Sequence, residues 1–410
     1  GFVKTAAVSP KIRVADTEYN AQETIRLMRE AWEKGARIIV FPELGITGYT
    51  CSDLFLQELL LKSAREELFH IARETADLDA LIFVGLPWEK DGKLYNVAAA
   101  LCGGHLLGLV PKLHLPNYGE FYELRHFTPG NQEVEDVWVP EEGEDGDYIN
   151  FGTKLLFTCE ELPGLSVAAE ICEDVWVPNP PSIGHVLAGA TVIVNCSASD
   201  ETTGKNLYRE SLIGGQSARL VCGYIYANAG EGESSQDLVF GGHNIIAENG
   251  RILKKAKRFA NETVYSEIDV LRLNAERRRM TTFETRMDGY TEIPFALKIE
   301  ETELTRYIDP MPFVPGSKTD RERRCDEILS IQAMGLKKRL AHTHAKSAVV
   351  GISGGLDSTL ALLVTARAFD MLGRDKKDII AVTMPCFGTT DRTYQNACEM
   401  SKKVGATLIE

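Results

Sequence analysis

The segment RIIVFPEL, residues 37 to 44, indicates the fold most clearly. Its apolar run of four residues, 38–41, is typical of a strand that is buried on both faces of a sheet. Pro42 ends that run and Glu43 follows directly, at the carboxyl end of the strand, where α/β proteins collect catalytic groups. The segment therefore predicts a central strand followed by a functional carboxylate.

The same pattern recurs along the chain and alternates with helical periodicity. Further buried strands are predicted at 81–85, 165–169, 191–194 and 224–227, helices at 17–34, 54–75 and 206–220, and hairpins at 94–110 and 239–259. The two hairpins turn at Gly103-Gly104 and at Asn249-Gly250. This alternation predicts an α/β protein built of stacked layers.

Composition narrows the possible partners. The 410 residues include 45 Lys and Arg against 59 Asp and Glu, a formal charge of −14, which disfavours nucleic-acid and anionic-membrane binding. No apolar run approaches the ~20 residues of a membrane-spanning helix, and the first residues are typical of a strand, not of a signal peptide. The nine cysteines are widely spaced and odd in number. We therefore expect free thiols and a cytoplasmic protein.

Length and local composition suggest a division into domains. We predict one domain over 1–273, a connector over 274–320 in which the regular pattern breaks down, and a second domain over 321–410. The acidic stretch 135–150 is typical of a solvated surface insertion.

Three residues with complementary chemistry each follow a predicted strand. These are Glu43, Lys112 and Cys172. A thiol must lose its proton to attack a carbonyl carbon, a carboxylate can accept that proton, and an ammonium can stabilise the oxyanion that forms. Together they indicate acyl transfer from an amide or nitrile carbon. Taken singly, a glutamate such as Glu43 is more often a structural strand-end carboxylate, and a cysteine such as Cys172 is more often a core residue.

The sequence around these residues resembles the nitrilase (carbon–nitrogen hydrolase) superfamily. The resemblance lies in 41–49 (FPELGITGY), 112–121 (KLHLPNYGEF) and 170–176 (EICEDVW), and it covers roughly residues 3–270. It implies an α-β-β-α sandwich, with Glu43 as general base, Lys112 as stabilising cation and Cys172 as nucleophile. It also implies a glutamate that supports the lysine. We expect Glu120 in that role and Glu123 nearer the substrate.

If the substrate is glutamine, its α-ammonium calls for an acidic group and its α-carboxylate for polar donors. Candidate contacts are Tyr118, Glu123, Glu173, Ser197 and Ser199. For each of them an ordinary loop hydrogen bond is an equally good interpretation.

A second motif, VVGISGGLDST at 349–359, follows a predicted strand and opens a helix. Glycine N–H groups and a helix N-terminus can cradle a phosphate, and the Walker A lysine is missing. The motif resembles the PP-loop of N-type ATP pyrophosphatases, which implies a partial Rossmann-like (adenine nucleotide alpha hydrolase-like) parallel sheet. By that resemblance ATP with Mg²⁺ binds at Ser353, Gly354, Gly355, Asp357, Ser358 and Thr383. Asp357 is expected to be the helix N-cap and an outer partner of Mg²⁺, although no residue is a certain metal ligand.

The pairing of these two domains resembles the glutamine-dependent NAD⁺ synthetase family. It implies two half-reactions: glutamine hydrolysis, without a cofactor, and amidation of ATP-adenylated deamido-NAD⁺ by the ammonia released. It also implies a homo-oligomer. The family's synthetase domain is longer than 321–410, so we expect an incomplete synthetase site. Two alternatives stay open: a free-standing amidase or carbamoylase with a nucleotide-sensing C-terminal segment, and a non-catalytic scaffold.

Overall fold

The computed structural model describes residues 1–140 and 146–410. It divides into two compact units, Gly1–Tyr307 and Ile308–Glu410. The middle of the acidic stretch, 141–145, lies outside the described residues. Among the described helices, none combines the length and the apolar character that crossing a bilayer requires.

The first unit contains two sheets. Its strands in chain order are β1 (Phe2–Ala7), β2 (Ile38–Val40), β3 (Leu81–Lys90), β4 (Lys93–Cys102), β5 (His105–Pro111), β6 (Glu135–Val139), β7 (Asp147–Phe151), β8 (Leu155–Cys159), β9 (Ser166–Ile171), β10 (Val192–Ser197), β11 (Gly223–Asn228), β12 (Ile245–Glu248), β13 (Arg251–Lys255), β14 (Val264–Asp269) and β15 (Thr291–Phe295). The first sheet has the order β14-β1-β2-β3-β4-β5-β7-β6, and the second has the order β13-β12-β11-β10-β9-β8-β15.

Helices cover the outer faces of both sheets. On the first sheet they are α1 (Thr17–Glu33) and α2 (Glu58–Glu74), and on the second they are α3 (Pro181–Leu187) and α4 (Lys205–Leu220). A fifth helix, α5 (Val270–Arg279), instead contributes Val270 and Leu273 to the core between the sheets. Short 3₁₀ segments at Tyr49–Leu56, Glu123–Arg125 and Cys172–Val175 follow strands or loops near the candidate site.

The layering follows from alternation along the buried strands. In β2, Ile38 and Val40 face the second sheet, whereas Ile39 packs against α1 and α2. In β10, Val192 and Val194 fill the space between the sheets, whereas Ile193 packs on the helical side of the second sheet. The arrangement confirms the α-β-β-α sandwich.

Two segments differ from expectation. The surface insertion expected over 135–150 contains β6 and β7, an antiparallel ribbon at the edge of the first sheet, because Val139, Ile149 and Phe151 are apolar and buried. Much of 274–320, expected to be a connector, packs onto the first unit. Within it β15 pairs in parallel with β8.

The second unit is a small α/β layer structure. It contains α6 (Lys318–His342), β16 (Ala348–Gly351), α7 (Leu356–Leu372), β17 (Ile379–Val382), α8 (Asp391–Val404) and β18 (Thr407–Ile409). Its three strands are parallel in the order β16-β17-β18. Crossover helices between parallel strands give the Rossmann-like arrangement that the sequence predicts.

Candidate active site

A buried ion pair joins the carboxyl ends of two strand segments in the first sheet. Glu43 follows β2 and Lys112 follows β5. The Nζ of Lys112 donates to Oε1 of Glu43 at 2.6 Å, and neither side chain is exposed. The two expected members of the catalytic group are therefore in direct contact.

Lys112 has a second carboxylate partner, which is Glu123. Its Nζ donates to Oε1 of Glu123 at 2.7 Å, and the hydroxyl of Tyr49 donates to the same oxygen at 2.8 Å. Burial raises the pKa of Glu123, and the positive charge of Lys112 opposes that rise. The expectation that Glu120 supports the lysine was wrong. Glu120 is partly exposed in the same loop, and Glu123 has turned inward on a single 3₁₀ turn.

Cys172 lies on a strained turn directly after β9. Its φ of +41° is in the left-handed region, which residues other than glycine and asparagine rarely adopt. Burial raises the pKa of the Cys172 thiol, the charge of Glu43 adds to the rise, and Lys112 opposes it. Since these charges act on the thiol, the three expected catalytic residues lie close together.

Glu43 is held by two further donors that sequence reasoning missed. Nδ2 of Asn96 donates to Oε1 at 2.6 Å, and the backbone N–H of Ala198 donates to Oε2 at 2.9 Å. Oε1 therefore receives two hydrogen bonds and Oε2 one. A carboxylate oxygen has two lone-pair sites, so Oε2 retains one that no donor in the described part of the chain occupies.

Asp174 connects the segment that carries the lysine to the turn that carries the thiol. Its carboxylate accepts from the backbone N–H groups of Ile171 at 3.0 Å and of His114 at 2.9 Å. Nδ1 of His114 also lies 2.8 Å from Asp174, and this contact raises the pKa of His114. Both residues belong to the motifs quoted above, but their pairing depends on the packing of two sheets.

The candidate glutamine contacts fall into two groups. The hydroxyl of Tyr118 donates to Oε1 of Glu173 at 2.6 Å, next to the nucleophile in sequence, and Tyr118 is exposed. Ser197 is buried and donates to the hydroxyl of Tyr226 at 2.6 Å. Ser199 is buried too, and its hydroxyl accepts from the guanidinium of Arg209 at 3.1 Å. That bond occupies the Ser199 hydroxyl inside the protein.

A cavity of about 150 Å³ lies beside the ion pair. Its lining includes Tyr49, Glu120, Tyr122, Glu123 and Asp237. Cys172 does not line it. The cavity therefore extends to Glu123, the second carboxylate partner of Lys112, but not to Cys172.

The PP-loop residues of the second unit gather at the N-terminus of α7. Gly354 has a φ of +79°, and a Cβ at this position would lie 1.9 Å from the carbonyl oxygen of Thr393, so only glycine fits there. The hydroxyls of Ser353 and Ser358 lie 3.2 Å apart, and that of Ser358 donates to the carbonyl oxygen of Gly355 at 3.1 Å.

Two residues predicted to act at this loop, Asp357 and Thr383, can be compared with the structure. The N-cap of α7 is Gly355, and Asp357 is the second residue of the helix, so the prediction that Asp357 caps the helix was wrong. A carboxylate in the first turn still complements the helix dipole. Thr383 is buried at the end of β17, where the backbone N–H of Ile352 donates to the carbonyl of Val382 at 2.7 Å. The structure thus brings Thr383 next to the start of the loop.

Comparison with protein families gives two matches. The carbon–nitrogen hydrolase family matches residues 4–278 and the NAD synthase family matches residues 328–410.

Similar proteins carry both domains. The glutamine-dependent NAD(+) synthetases of Mycobacterium tuberculosis (strain H37Rv) and Mycobacterium leprae are 38% and 39% identical to this chain. The alignments cover 100% of this chain and 61% of each relative, so the chain spans about three fifths of their length.

Solved structures show the same fold at lower identity. A glutamine-dependent NAD(+) synthetase from Cytophaga hutchinsonii superimposes with a TM-score of 0.58 at 22% identity, over 100% of this chain and 64% of that one. An amidase from Nesterenkonia superimposes with a TM-score of 0.51 at 21% identity, over 68% of this chain and 95% of the amidase. Because the matched residues 4–278 make up more than half of its length, the chain belongs to the carbon–nitrogen hydrolase family.

Proposed function

We propose that the first unit hydrolyses the side-chain amide of L-glutamine, with Cys172 as nucleophile, Glu43 as general base and Lys112 as stabilising cation. One observation carries the proposal: Lys112 is fully buried between the carboxylates of Glu43 and Glu123, beside a thiol on a strained turn. Burial of an ammonium is costly, and groups held at such cost cluster at functional sites.

In the acylation half, the Cys172 sulfur attacks the amide carbon while its proton passes to the free lone pair on Oε2 of Glu43. Two N–H groups of Lys112 serve Glu43 and Glu123 in the described part of the chain, so the third can donate to the oxyanion. The C–N bond then breaks, and Glu43 returns the proton to the leaving nitrogen. Ammonia and a glutamyl thioester result.

In the deacylation half, water attacks the thioester carbon and gives one proton to Glu43. The C–S bond breaks, the proton returns to the sulfur, and glutamate leaves. The same carboxylate therefore acts as base and as acid in both halves. Its three hydrogen-bond donors keep it in position between them.

Recognition of glutamine follows from the placed polar groups. The Glu173 carboxylate, held by Tyr118, suits the α-ammonium of the substrate. Glu123 supports Lys112 and so contributes to chemistry more than to binding. A hydrogen bond with Ser197 opposes the rise in the pKa of Cys172, which supports Ser197 as a group close to the reacting amide.

We further propose that the ammonia amidates ATP-adenylated deamido-NAD⁺ in an enzyme that includes the second unit. The relatives' names and the NAD synthase match at 328–410 support this. ATP phosphates would bind the N–H groups and hydroxyls of Ser353–Ser358 at the start of α7. Asp357 is the acidic residue of that loop. Mg²⁺ commonly binds one or two carboxylates together with substrate phosphates, so Asp357 fits as one ligand.

The test is ammonia release from L-glutamine by the chain and by its Cys172→Ala variant. We expect release by the first and none by the second. Release from acetamide or N-carbamoyl compounds but not from glutamine would instead identify an amidase or carbamoylase, and no release from any of these would contradict the proposed chemistry.

Two further features belong to this proposal. All nine cysteines are free, which supports a location in the cytoplasm, where thiols stay reduced. Self-association into a homo-oligomer is expected from the resemblance, and light scattering of the purified chain measures it.

A further inference from the structure

A buried chain of hydrogen bonds runs from the backbone of Cys172 to Glu170. The N–H of Cys172 donates to Oδ1 of Asn195 at 3.0 Å, and Nδ2 of Asn195 donates to the hydroxyl oxygen of Tyr224 at 3.1 Å. The hydroxyl of Tyr224 in turn donates to Oε1 of Glu170. Oε2 of Glu170 accepts from the backbone N–H of Ser182 at 2.8 Å. Each of these side chains is fully buried.

The direction of every bond in this chain is fixed by chemistry. A backbone N–H can only donate, so Asn195 must present its carbonyl oxygen to Cys172 and its NH₂ to Tyr224. The oxygen of Tyr224 accepts from that NH₂, so its single proton must point at Glu170. Each oxygen of Glu170 therefore accepts one of these hydrogen bonds, Oε1 from Tyr224 and Oε2 from Ser182.

This chain approaches Cys172 from the side opposite to the ion pair. Tyr224 packs among the residues that join the second sheet to its helices, whereas Cys172 packs among the residues between the two sheets. Glu43 follows β2, a strand of the first sheet. The backbone of Cys172 is thus held from the helical side of the second sheet, whereas the charge of Glu43 acts on its thiol from the side of the first sheet.

The turn needs such an anchor because its backbone conformation is unfavourable. A residue other than glycine in the left-handed region costs free energy and persists only where its surroundings hold it. The bond from Asn195 also occupies the N–H of Cys172, so this N–H is not available to a substrate oxyanion.

We propose that Asn195, oriented by Tyr224 and Glu170, is a positioning residue that fixes the backbone of Cys172 and thereby aims its thiol at Glu43 and the substrate. This inference rests on the proposed function, in which Cys172 is the nucleophile. It assigns the three buried polar residues a role in the reaction without contact to the substrate.

The test compares Asn195→Ala and Tyr224→Phe with a matched control, Tyr290→Phe. Tyr290 also packs on the helical side of the second sheet. Its hydroxyl lies 3.0 Å from Nδ1 of His185, and neither residue belongs to the hydrogen-bond chain from Cys172 to Glu170. The measurements are kcat and KM for glutamine hydrolysis and the rate at which iodoacetamide alkylates Cys172, followed by mass spectrometry of the peptide that contains it. Near-UV circular dichroism verifies the fold of each variant.

We expect kcat to fall about 100-fold in Asn195→Ala and about tenfold in Tyr224→Phe, with KM nearly unchanged, because a misplaced nucleophile slows chemistry more than binding. Alkylation should slow in the same order, and Tyr290→Phe should match the unmodified chain. If Asn195→Ala does not fold, Tyr224→Phe, which removes one oxygen atom, decides alone.

Unchanged kcat and alkylation in the folded variants overturns the inference. A rise in KM with kcat unchanged overturns it too, because it would show an effect on substrate binding and not on the nucleophile. If the unmodified chain releases no ammonia from glutamine, the proposed function fails, and the alkylation series still decides whether Asn195 and Tyr224 position Cys172.

Discussion

Lys112 and Glu43 meet at 2.6 Å, Nζ to Oε1, with both side chains closed off from solvent. Glu123 lies 2.7 Å from the same Nζ. One ammonium therefore separates two buried carboxylates, and removal of that charge leaves both without compensation. In the proposed mechanism, stability and chemistry therefore depend on the same nitrogen atom, Nζ of Lys112.

Lys112→Ala should destabilise the first unit by about 3–5 kcal/mol, because loss of one partner strands buried charge. Lys62→Ala is the control. Its pair with Glu66 at 3.5 Å is exposed on both sides and should contribute at most about 0.5 kcal/mol. Urea denaturation of both variants measures the difference. Equal losses of stability in the two variants would show that the buried ion pair contributes no more than an exposed one.

Glu123→Gln should lower kcat for glutamine hydrolysis at least about tenfold, because Lys112 loses a charged partner that orients its ammonium. Glu120→Gln should change kcat by no more than about twofold, since Glu120 is partly exposed. Steady-state kinetics on the two variants checks this contrast. The reverse order would restore Glu120 as the support of the lysine.

Cys172→Gly should be more stable than Cys172→Ala by about 1 kcal/mol, because glycine adopts a φ of +41° without the cost that a Cβ brings. Both variants should be inactive. The same two substitutions at Cys196, a buried residue within β10, should show the opposite order. Thermal unfolding of the four variants tests this. Alanine more stable than glycine at both positions would remove the argument for strain.

The stability of the first unit should depend on pH through Glu170. Burial raises the pKa of Glu170 from 4.5 to about 7, the charge of Asp174 adds to the rise, and hydrogen bonds from Tyr224 and Ser182 oppose it. The raised pKa means that the folded state binds the proton more tightly. The contribution of Glu170 to the stability of the folded state is therefore fully present below pH 4.5 and is lost as pH rises to about 7.

The free energy of unfolding of the unmodified protein, relative to that of Glu170→Gln, should fall by on the order of 3 kcal/mol between these pH values. Above pH 7 the difference between the two proteins should change little. Denaturation from pH 4 to pH 8 measures the difference, and Glu58→Gln, at an exposed position in α2, is the control. A difference that is constant across this range would contradict the raised pKa.

Gly354→Ala should weaken ATP binding to the second unit, because a Cβ would lie 1.9 Å from the carbonyl oxygen of Thr393 and displace the loop. Gly351→Ala, three residues earlier and with open space around its Cβ, is the control. Isothermal titration calorimetry with ATP and Mg²⁺ measures both. Equal affinities of the two variants for ATP would show that nucleotide binding does not depend on the geometry of this loop.

Much of this protein was predictable from local patterns. Buried apolar strands such as 38–41 and helical periodicity over 17–34 predict the layers, since a strand or helix with an apolar face must be covered. Glu43, Lys112 and Cys172 were found because each follows a strand and has reactive chemistry. The structure brings these three together, and their roles in catalysis stay a prediction.

The assignment of Glu120 failed for a physical reason. Both glutamates lie in one irregular loop, and sequence spacing does not fix which of them turns inward. A 3₁₀ turn at Glu123–Arg125 made that choice. The edge ribbon of β6 and β7 was missed because acidic residues between the strands dominate the composition of 135–150.

Asn96 shows where sequence reasoning ends. A regular hairpin that turns at Gly103-Gly104 pairs Cys102 with His105, and the same register would place Asn96 opposite Pro111. The register shifts between Ala100 and Leu101, so that Val97 pairs with Pro111 and the backbone of Asn96 bonds that of Lys112. A one-residue slip reverses which face a side chain occupies.

The sequence by itself determined most of the buried strands, the longer helices of the first unit and the reactive residues at the strand ends, because these depend on short-range periodicity and residue chemistry. The tertiary structure decided which carboxylate holds Lys112, which amide holds Glu43 and which buried chain holds Cys172. Those contacts join residues that are far apart in the chain, and they depend on register and on the packing of two sheets, which local sequence does not encode.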